Sequence, residues 1–386
     1  MPRIALTLSL ISLQLSCGND SSELDRAIEA QLDVGDLPSI AAALIADGEL
    51  VWEGYYGWAD EEARRRPDAH TLYPVASVSK MFTAVPLMRL VELGMIDLDA
   101  PVDESFGFAL VHPEHADTPI TLRQLLTHTS GVIDNWPALG QGTYTGNDPE
   151  MTLAQFAEAY AIPAGELYSA ESNFGAAPGA RHDYSNAGFA IAGHLAELGW
   201  GDDFRNLTRT LAFEPLALEE TGWYLADLDA TKLAAPYTYN MARDAQIALQ
   251  HSTYAHYPAG GLRSSIHDLS RFVRAVLNGG ELDGERIFEA ATVTEMLRRQ
   301  VPEHSDRQGL VFRYDTVGGR EYVGHSGAGL GGSANVLMRP DDRSALILLS
   351  NGDAYVRARL GFEAGRDAMR RILELLDAEL IRLTEG

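Results

Sequence analysis

Strand-like and helix-like patterning are segregated along this sequence, and that segregation leaves few folds open. Near the N-terminus, "SIAAALIADGELVWEGYYGWAD" reads as two strands joined at Asp47-Gly48, a dipeptide suited to the positive φ values of a tight hairpin. Strand patterns return only late, in "GLVFRYDTV", "REYVGH" and "SANVLMRPDDRSALILLSNG". Between them, helical spacing runs over residues 78–93 and stops at Gly94, and short helical segments follow, "TLRQLLTH", "TLAQFAEAYA", "NAGFAIAGHLAEL" and "DDFRNLTRTLAF". Two amphipathic helices, "SELDRAIEAQLDVG" and "EAGRDAMRRILELLDAELIRL", bracket the whole. The economical solution is α+β: one antiparallel sheet built from the N- and C-terminal segments and flanked by helices, with a mostly helical domain inserted. The expected boundaries are 25–70 and 255–386 for the sheet domain and 71–254 for the insert, with a site in the cleft between them.

The first residues read as a targeting segment. Arg3 supplies a short positive region, "IALTLSLISLQL" an apolar one, and "SCGNDSS" follows. That apolar run is too short for a permanent span. Residues 1–16 are therefore expected to be a signal peptide and 17–24 a tether. Cys17 is the sole cysteine, preceded by small Ser16. The segment resembles a bacterial lipobox, with Gln14 where an apolar residue is usual, and this implies lipidation of Cys17 and a lipid-anchored protein of the cell envelope or periplasm. An ordinary export signal with an incidental cysteine is the other reading. With no second cysteine, no internal disulfide forms. A formal net charge of −25 argues against nucleic acid and against docking on anionic lipid, so a lipid on Cys17 is the only membrane attachment expected.

The chemistry begins at "LYPVASVSKMFTAVPLMRLVELGMIDLD". Lys80 is one of only two lysines among 30 basic residues, the other being Lys232, and it follows Ser77 by three positions, a spacing that shares one helix face. Serine is a weak nucleophile without a base. Lysine serves as one only when neutral, at a cost of roughly 4–5 kcal/mol at pH 7 from its ordinary pKa. Arginine cannot lose its proton at all. A lysine kept in an arginine-writing chain is thus a candidate base. A bare S-x-x-K is otherwise usually a capping serine and a solvated lysine.

The flanks favour the chemical reading. "PVASVSKMFTAVPLMRLVELGMIDLDAPV" is similar to the nucleophile segment of the serine β-lactamase and penicillin-binding-protein superfamily, in its class C β-lactamase, D,D-peptidase and esterase branch. "ITLRQLLTHTSGV", "PGARHDYSNAGFAIAGHLAEL", "GGLRSSIHDLSRFVRAVLNGG" and "GHSGAGLGGSANVLMRPDDRSALILLSNG" match further blocks in the expected order. The resemblance extends from about residue 25 to 375 and implies a β-lactamase/transpeptidase-like fold. It also implies that Ser77 is the acylated nucleophile, that Lys80 and Tyr184 take its proton, and that Asn186 sets the geometry of Lys80. The motif His325-Ser326-Gly327 then lines the site, and the backbone N–H groups of Ser77 and Ala328 form the oxyanion hole.

One departure matters. Where penicillin-recognising members carry K-T-G, this chain has His325, mostly neutral at pH 7. The fixed charge for a substrate carboxylate is then missing, Lys232 is a poor substitute, and Arg181 and Arg263 are candidates. The expectation is an uncharged ester, or an amide without that carboxylate.

Other conspicuous residues have plainer readings. His112, His115, His251 and His256 lack a companion Asp/Glu/Cys set and read as solvated or turn histidines, so no metal and no cofactor is expected. His128 reads as a helix end. Trp136, Trp223, Tyr237 and Tyr239 either line an acyl pocket or pack the insert. The resulting expectation is an exported serine hydrolase acting on esters or D-amino-acid amides and peptides. A β-lactamase or D,D-carboxypeptidase is the alternative within that chemistry, and an acylated, non-catalytic sensor is the alternative outside it.

Overall fold

A computed structural model describes residues 22–385. The segment expected to be a signal peptide, Cys17 and most of the expected tether lie outside the described residues. Helix α1 (Glu23–Gly35) starts from a capping box in which Ser22 and Asp25 satisfy each other's backbone N–H groups. The hairpin follows as β1 (Ser39–Ala46) and β2 (Glu49–Gly57), turning at Asp47 (φ 50°) and Gly48 (φ 77°) as the dipeptide requires. A two-residue strand β3 (Tyr73–Pro74) then leads into α2 (Ser79–Glu92). Short helices occupy much of the chain up to α3 (Asn186–Trp200), and small two-stranded ribbons accompany them. Strand β4 (Arg263–Ser264) pairs with β3 and precedes α4 (Ile266–Leu277).

The C-terminal part supplies β5 (Arg313–Val317), β6 (Arg320–Gly329), β7 (Gly332–Arg339), β8 (Ser344–Ser350), α5 (Ala354–Arg359) and α6 (Ala364–Glu385). The six-stranded sheet runs β5-β6-β7-β8-β1-β2, all antiparallel, so the two chain ends meet where β1 pairs with β8, Ala41 opposite Leu349. This is the fold class expected from the sequence.

Period-2 alternation gives the sheet two buried faces. Ile40, Ala42, Leu44, Leu346 and Leu348 pack with Ile28 and Leu32 of α1 and with Met369, Ile372 and Leu376 of α6. Ala41, Ala43, Ile45, Ile347 and Leu349 join the larger core that includes Phe82 of α2 and Phe272 of α4, whose rings stack 4.0 Å apart. That second core continues into α3 through Phe189 and Ile191. The turn just before α2 packs against β6.

Candidate active site

Strand β3 delivers the chain to Ser77. Val75 N–H donates to the Leu262 carbonyl (3.1 Å), and Ala76 is forced to φ 46°, a left-handed value that a side chain resists. Ser77 sits in the 3₁₀ turn Ala76–Val78, and α2 begins only at Ser79, with no side-chain cap. Ser77 thus lies ahead of α2 rather than on it, which removes the reading of Ser77 as a cap. Ser79 fastens the strained turn: its hydroxyl donates to the Ala76 carbonyl (2.6 Å) and accepts from Leu262 N–H (3.0 Å). Beneath lies Gly327 of β6, where an added Cβ would stand 2.2 Å from the Val75 carbonyl oxygen. The glycine of His-Ser-Gly is therefore dictated by close backbone approach.

Lys80, one residue into α2, is completely buried. Its Nζ lies 3.4 Å from Ser77 Oγ, 2.8 Å from Asn186 Oδ1 and in hydrogen-bond contact with the Ala259 carbonyl. None of these partners is a carboxylate. Asn186, the first residue of α3, is held in turn by Asp134, whose carboxylate accepts from Asn186 N–H (2.6 Å), Asn186 Nδ2 (2.7 Å) and Ala187 N–H (3.0 Å). Burial raises the Asp134 pKa, against those N–H donors and the Lys80 charge that lower it. Sequence reasoning missed Asp134. No spacing motif marks it, since it lies 52 residues from Asn186 and meets it only through the fold.

The Tyr184 ring lies under the same ammonium, with Nζ 4.8 Å from its centroid, and its hydroxyl makes no hydrogen bond to another described residue. His128 packs on Tyr184 at 4.3 Å between centroids and accepts from Ser185 N–H through Nδ1 (3.1 Å). It follows the short helix Leu122–Leu126 in a left-handed conformation, φ 59°, as a helix-ending residue does.

Ser77, Tyr184, His325, Ser326, Gly327 and Ala328 all line one cavity of about 570 Å³, together with Tyr355, Ala358, Arg359 and Arg366. Ser326 is exposed there, its hydroxyl donating to Asn335 Oδ1 (2.9 Å), which through Nδ2 reaches the Tyr355 hydroxyl (2.6 Å). His325 is buried, and burial together with the nearby Lys80 and Arg313 charges lowers its pKa to about 3. Nδ1 lies 2.8 Å from the Ser326 carbonyl, so it carries the proton and Nε2 is left buried without a partner. His325 is thus neutral, as its intrinsic pKa led us to expect.

The inference drawn from that neutrality needs correction. Arg313, on β5 opposite Gly324, lines the cavity beside His325. Its Nε is buried without a hydrogen-bond partner, and it forms no ion pair among the described residues. A guanidinium stays charged even when burial pulls its pKa down. The site therefore has a fixed positive charge, supplied from the neighbouring strand. Arg313 was invisible as a site residue because cross-strand neighbours have no fixed sequence offset. The cations weighed from sequence stand elsewhere. Arg181 is exposed and paired with Asp183, Lys232 is paired with Glu220, and Arg263 is buried against the Gly261 and Ser252 carbonyls.

Among the remaining candidates, His115 is exposed, but His112 and His256 are buried, and burial lowers the pKa of His256 to about 3 and of half-buried His251 to about 4. The solvated reading thus fails for these three. Of the aromatics, Trp223 and Tyr237 are core residues, Trp136 is exposed and Tyr239 bonds Asp244. None of the four lines the Ser77 cavity, where Tyr355 stands instead.

The arrangement offers a half-buried hydroxyl on the cavity lining against a buried amine, with a cation on the same lining, which suits acyl transfer. Residues 24–369 match the family model described as Beta-lactamase. The chain is 27% identical over 331 residues to penicillin-binding protein 4 of Amycolatopsis lactamdurans, covering 82% of this chain and 81% of that one. It is 29% identical over 239 residues to esterase EstB of Burkholderia gladioli, covering 60% and 58%. Across the first curated relatives it matches, the chain spans from 46% to 81% of their length. The D-amino acid amidase of Ochrobactrum anthropi, solved with L-phenylalanine amide, superposes with a TM-score of 0.71 at 23% identity, over 93% of this chain and 99% of that one. Family model, relatives and fold agree, and the chain belongs to the beta-lactamase family of serine hydrolases.

Proposed function

We propose that this protein hydrolyses small ester or amide substrates through an acyl-enzyme on Ser77, and that the preferred substrates carry an anionic group near the scissile bond. The observation that carries the reading is the Lys80 ammonium, buried and shared between Ser77 Oγ and Asn186 Oδ1, behind a serine that lines the same cavity as Arg313. In its neutral form Lys80 takes the Ser77 proton as Oγ bonds to the substrate carbonyl carbon. The resulting oxyanion is received by the Ser77 and Ala328 N–H groups. Tyr184 relays the proton to the departing alcohol or amine, and water then releases the acid by the same route in reverse. Esters and D-amino-acid amides are supported as the reaction class by what the related esterase and amidase are named for, and peptides or β-lactams with a carboxylate are brought back by Arg313. Export and anchoring through Cys17 complete the proposal, on the strength of the N-terminal apolar segment alone. A Cys17→Ser variant that stayed in the membrane fraction would remove the anchor.

The test is a parallel panel of short-chain p-nitrophenyl esters, D-amino-acid amides, D-alanyl peptides with a free carboxylate and a chromogenic cephalosporin, with Ser77→Ala as control. Turnover of at least one class, and loss of covalent fluorophosphonate labelling in Ser77→Ala, is the expected result. Labelling at full intensity in that variant would sink the nucleophile assignment. A stoichiometric burst with no following rate would convert the enzyme into an acylated sensor.

A further inference from the structure

Away from the cavity, four segments far apart in sequence converge on Glu220. His70 Nδ1 lies 2.9 Å from Glu220 Oε2, which Ser265 Oγ also reaches at 2.9 Å, while Lys232 Nζ donates to Oε1 at 2.6 Å. The His267 ring stands 5.2 Å from the His70 ring. One ligand atom each from His70, Glu220 and His267 lie within 4.8 Å of one another. Glu220 is buried, whereas the two imidazoles are about half exposed, at 53% and 46% of their side-chain surface.

We propose that His70, Glu220 and His267 form a binding site for a divalent transition ion of the zinc class, separate from the hydrolytic cavity. Two imidazole nitrogens and one carboxylate oxygen are the donor set such an ion takes, with the fourth position left to water or an exogenous ligand. The surroundings resemble a built site more than a chance meeting of surface histidines. Asp268 Oδ1 lies 3.0 Å from His267 Nδ1 and fixes that ring with Nε2 free, the carboxylate–histidine support that orients metal ligands. Asp268 is itself buried and anchored by Glu220 N–H (2.7 Å) and Thr221 Oγ1 (2.8 Å), so the support and the carboxylate ligand are tied into one unit. Lys232 holds the Glu220 oxygen that faces away from His70, and its flexible stem lets the ammonium swing to solvent when a cation enters.

Position gives the site a consequence. His267 N–H donates to the Ala69 carbonyl (3.1 Å), and Leu72 N–H donates to the Lys232 carbonyl (2.9 Å). The cluster therefore clamps the segment that enters β3 and, seven residues beyond His70, becomes Ser77. An ion bound there ties the start of α4 to the strand that presents the nucleophile.

The experiment uses the full chain, made without a polyhistidine tag and stripped with EDTA, titrated with zinc sulfate in competition with a chromophoric chelator. The expected result is stoichiometric zinc uptake, weakened at least about tenfold in both His70→Gln and His267→Gln. The melting temperature of the unaltered chain should rise with zinc, and that of the double variant should not. Circular dichroism checks that the variants, altered only at half-exposed positions, remain folded. No uptake by the unaltered chain would overturn the site, as would uptake equally strong in the double variant, which would place the ion on other histidines. A misfolded double variant would leave Glu220→Gln, which also removes a ligand, to decide by the same titration.

Discussion

Lys80 and Lys232 are the chain's only two lysines, and their surroundings are opposites. Lys232 is partly exposed and pairs directly with the Glu220 carboxylate, an arrangement that keeps its proton in place. Lys80 is completely buried, yet its three polar partners are a hydroxyl, an amide oxygen and a backbone carbonyl. The nearest carboxylate, Asp134, reaches it only through the Asn186 amide. An opposite charge in direct contact favours the charged form of an amine, and that contact is present at Lys232 and absent at Lys80. The difference teaches that what surrounds a lysine, rather than the lysine itself, decides whether it can be proposed as a base.

The sharpest way to break that comparison is a matched pair of substitutions. Lys80→Arg should lower kcat on the best panel substrate by about 10³-fold, since a guanidinium cannot accept the Ser77 proton. Lys232→Arg should leave kcat within about twofold. Equal losses would show that both positions need a lysine, and kcat retained in both variants would show that charge alone is needed at both.

Next in size is Arg313→Gln, which takes away the cation beside His325 and leaves Arg359 and Arg366 on the cavity lining. Hydrogen bonds to charged groups contribute about 1.5–3 kcal/mol, so KM for a carboxylate-bearing substrate should rise roughly 10- to 100-fold while a neutral ester is unaffected. A uniform loss on both would make Arg313 a packing residue, and the preference for anionic substrates would go with it.

Smaller again is Asp134→Asn, which keeps the amide-sized shape but removes the anion behind Asn186. It should reduce kcat/KM about tenfold and move the acidic limb of its pH profile to lower pH, because the group that favours a protonated amine is gone. A change in kcat/KM with an unshifted profile would mean that Asp134 only caps α3.

The smallest effect concerns stability. The unfolded chain protonates His256 below its ordinary value near 6.5, while the folded chain resists down to about 3. Its stabilising contribution is therefore present above pH 6.5 and is lost progressively as pH falls toward 3. His256→Asn should flatten the drop in melting temperature between pH 7 and pH 5. An unchanged slope would show that other groups carry the acid sensitivity.

Much of this was legible in the sequence because it depends on local rules. The Asp47-Gly48 turn, the apolar strand run in "SALILLS" and the amphipathic terminal helix are set by φ preferences and hydrophobic patterning, and each formed where the pattern placed it. The Ser77–Lys80 spacing and the His325-Ser326-Gly327 strand were readable for the same reason, since their members lie within four residues of one another. Arg313, Asp134 and the His70–Glu220–His267 cluster were not readable, because each meets its partner across a strand pair or between distant segments. His112 and His256 open turns, as one of the two readings had it, but their burial was not readable because exposure depends on what packs over a residue.

By itself, then, the sequence determined the elements, the order in which they alternate, and the pairing of a serine with the one lysine able to serve it, because those follow from nearest-neighbour stereochemistry and from the intrinsic acidity of side chains. Only the tertiary structure decided where charge resides. It brought Arg313 beside a neutral His325 and kept Asp134 one amide away from Lys80. Electrostatic energies depend on distance and burial rather than on position along the chain, and those two quantities exist only once the sheet has closed.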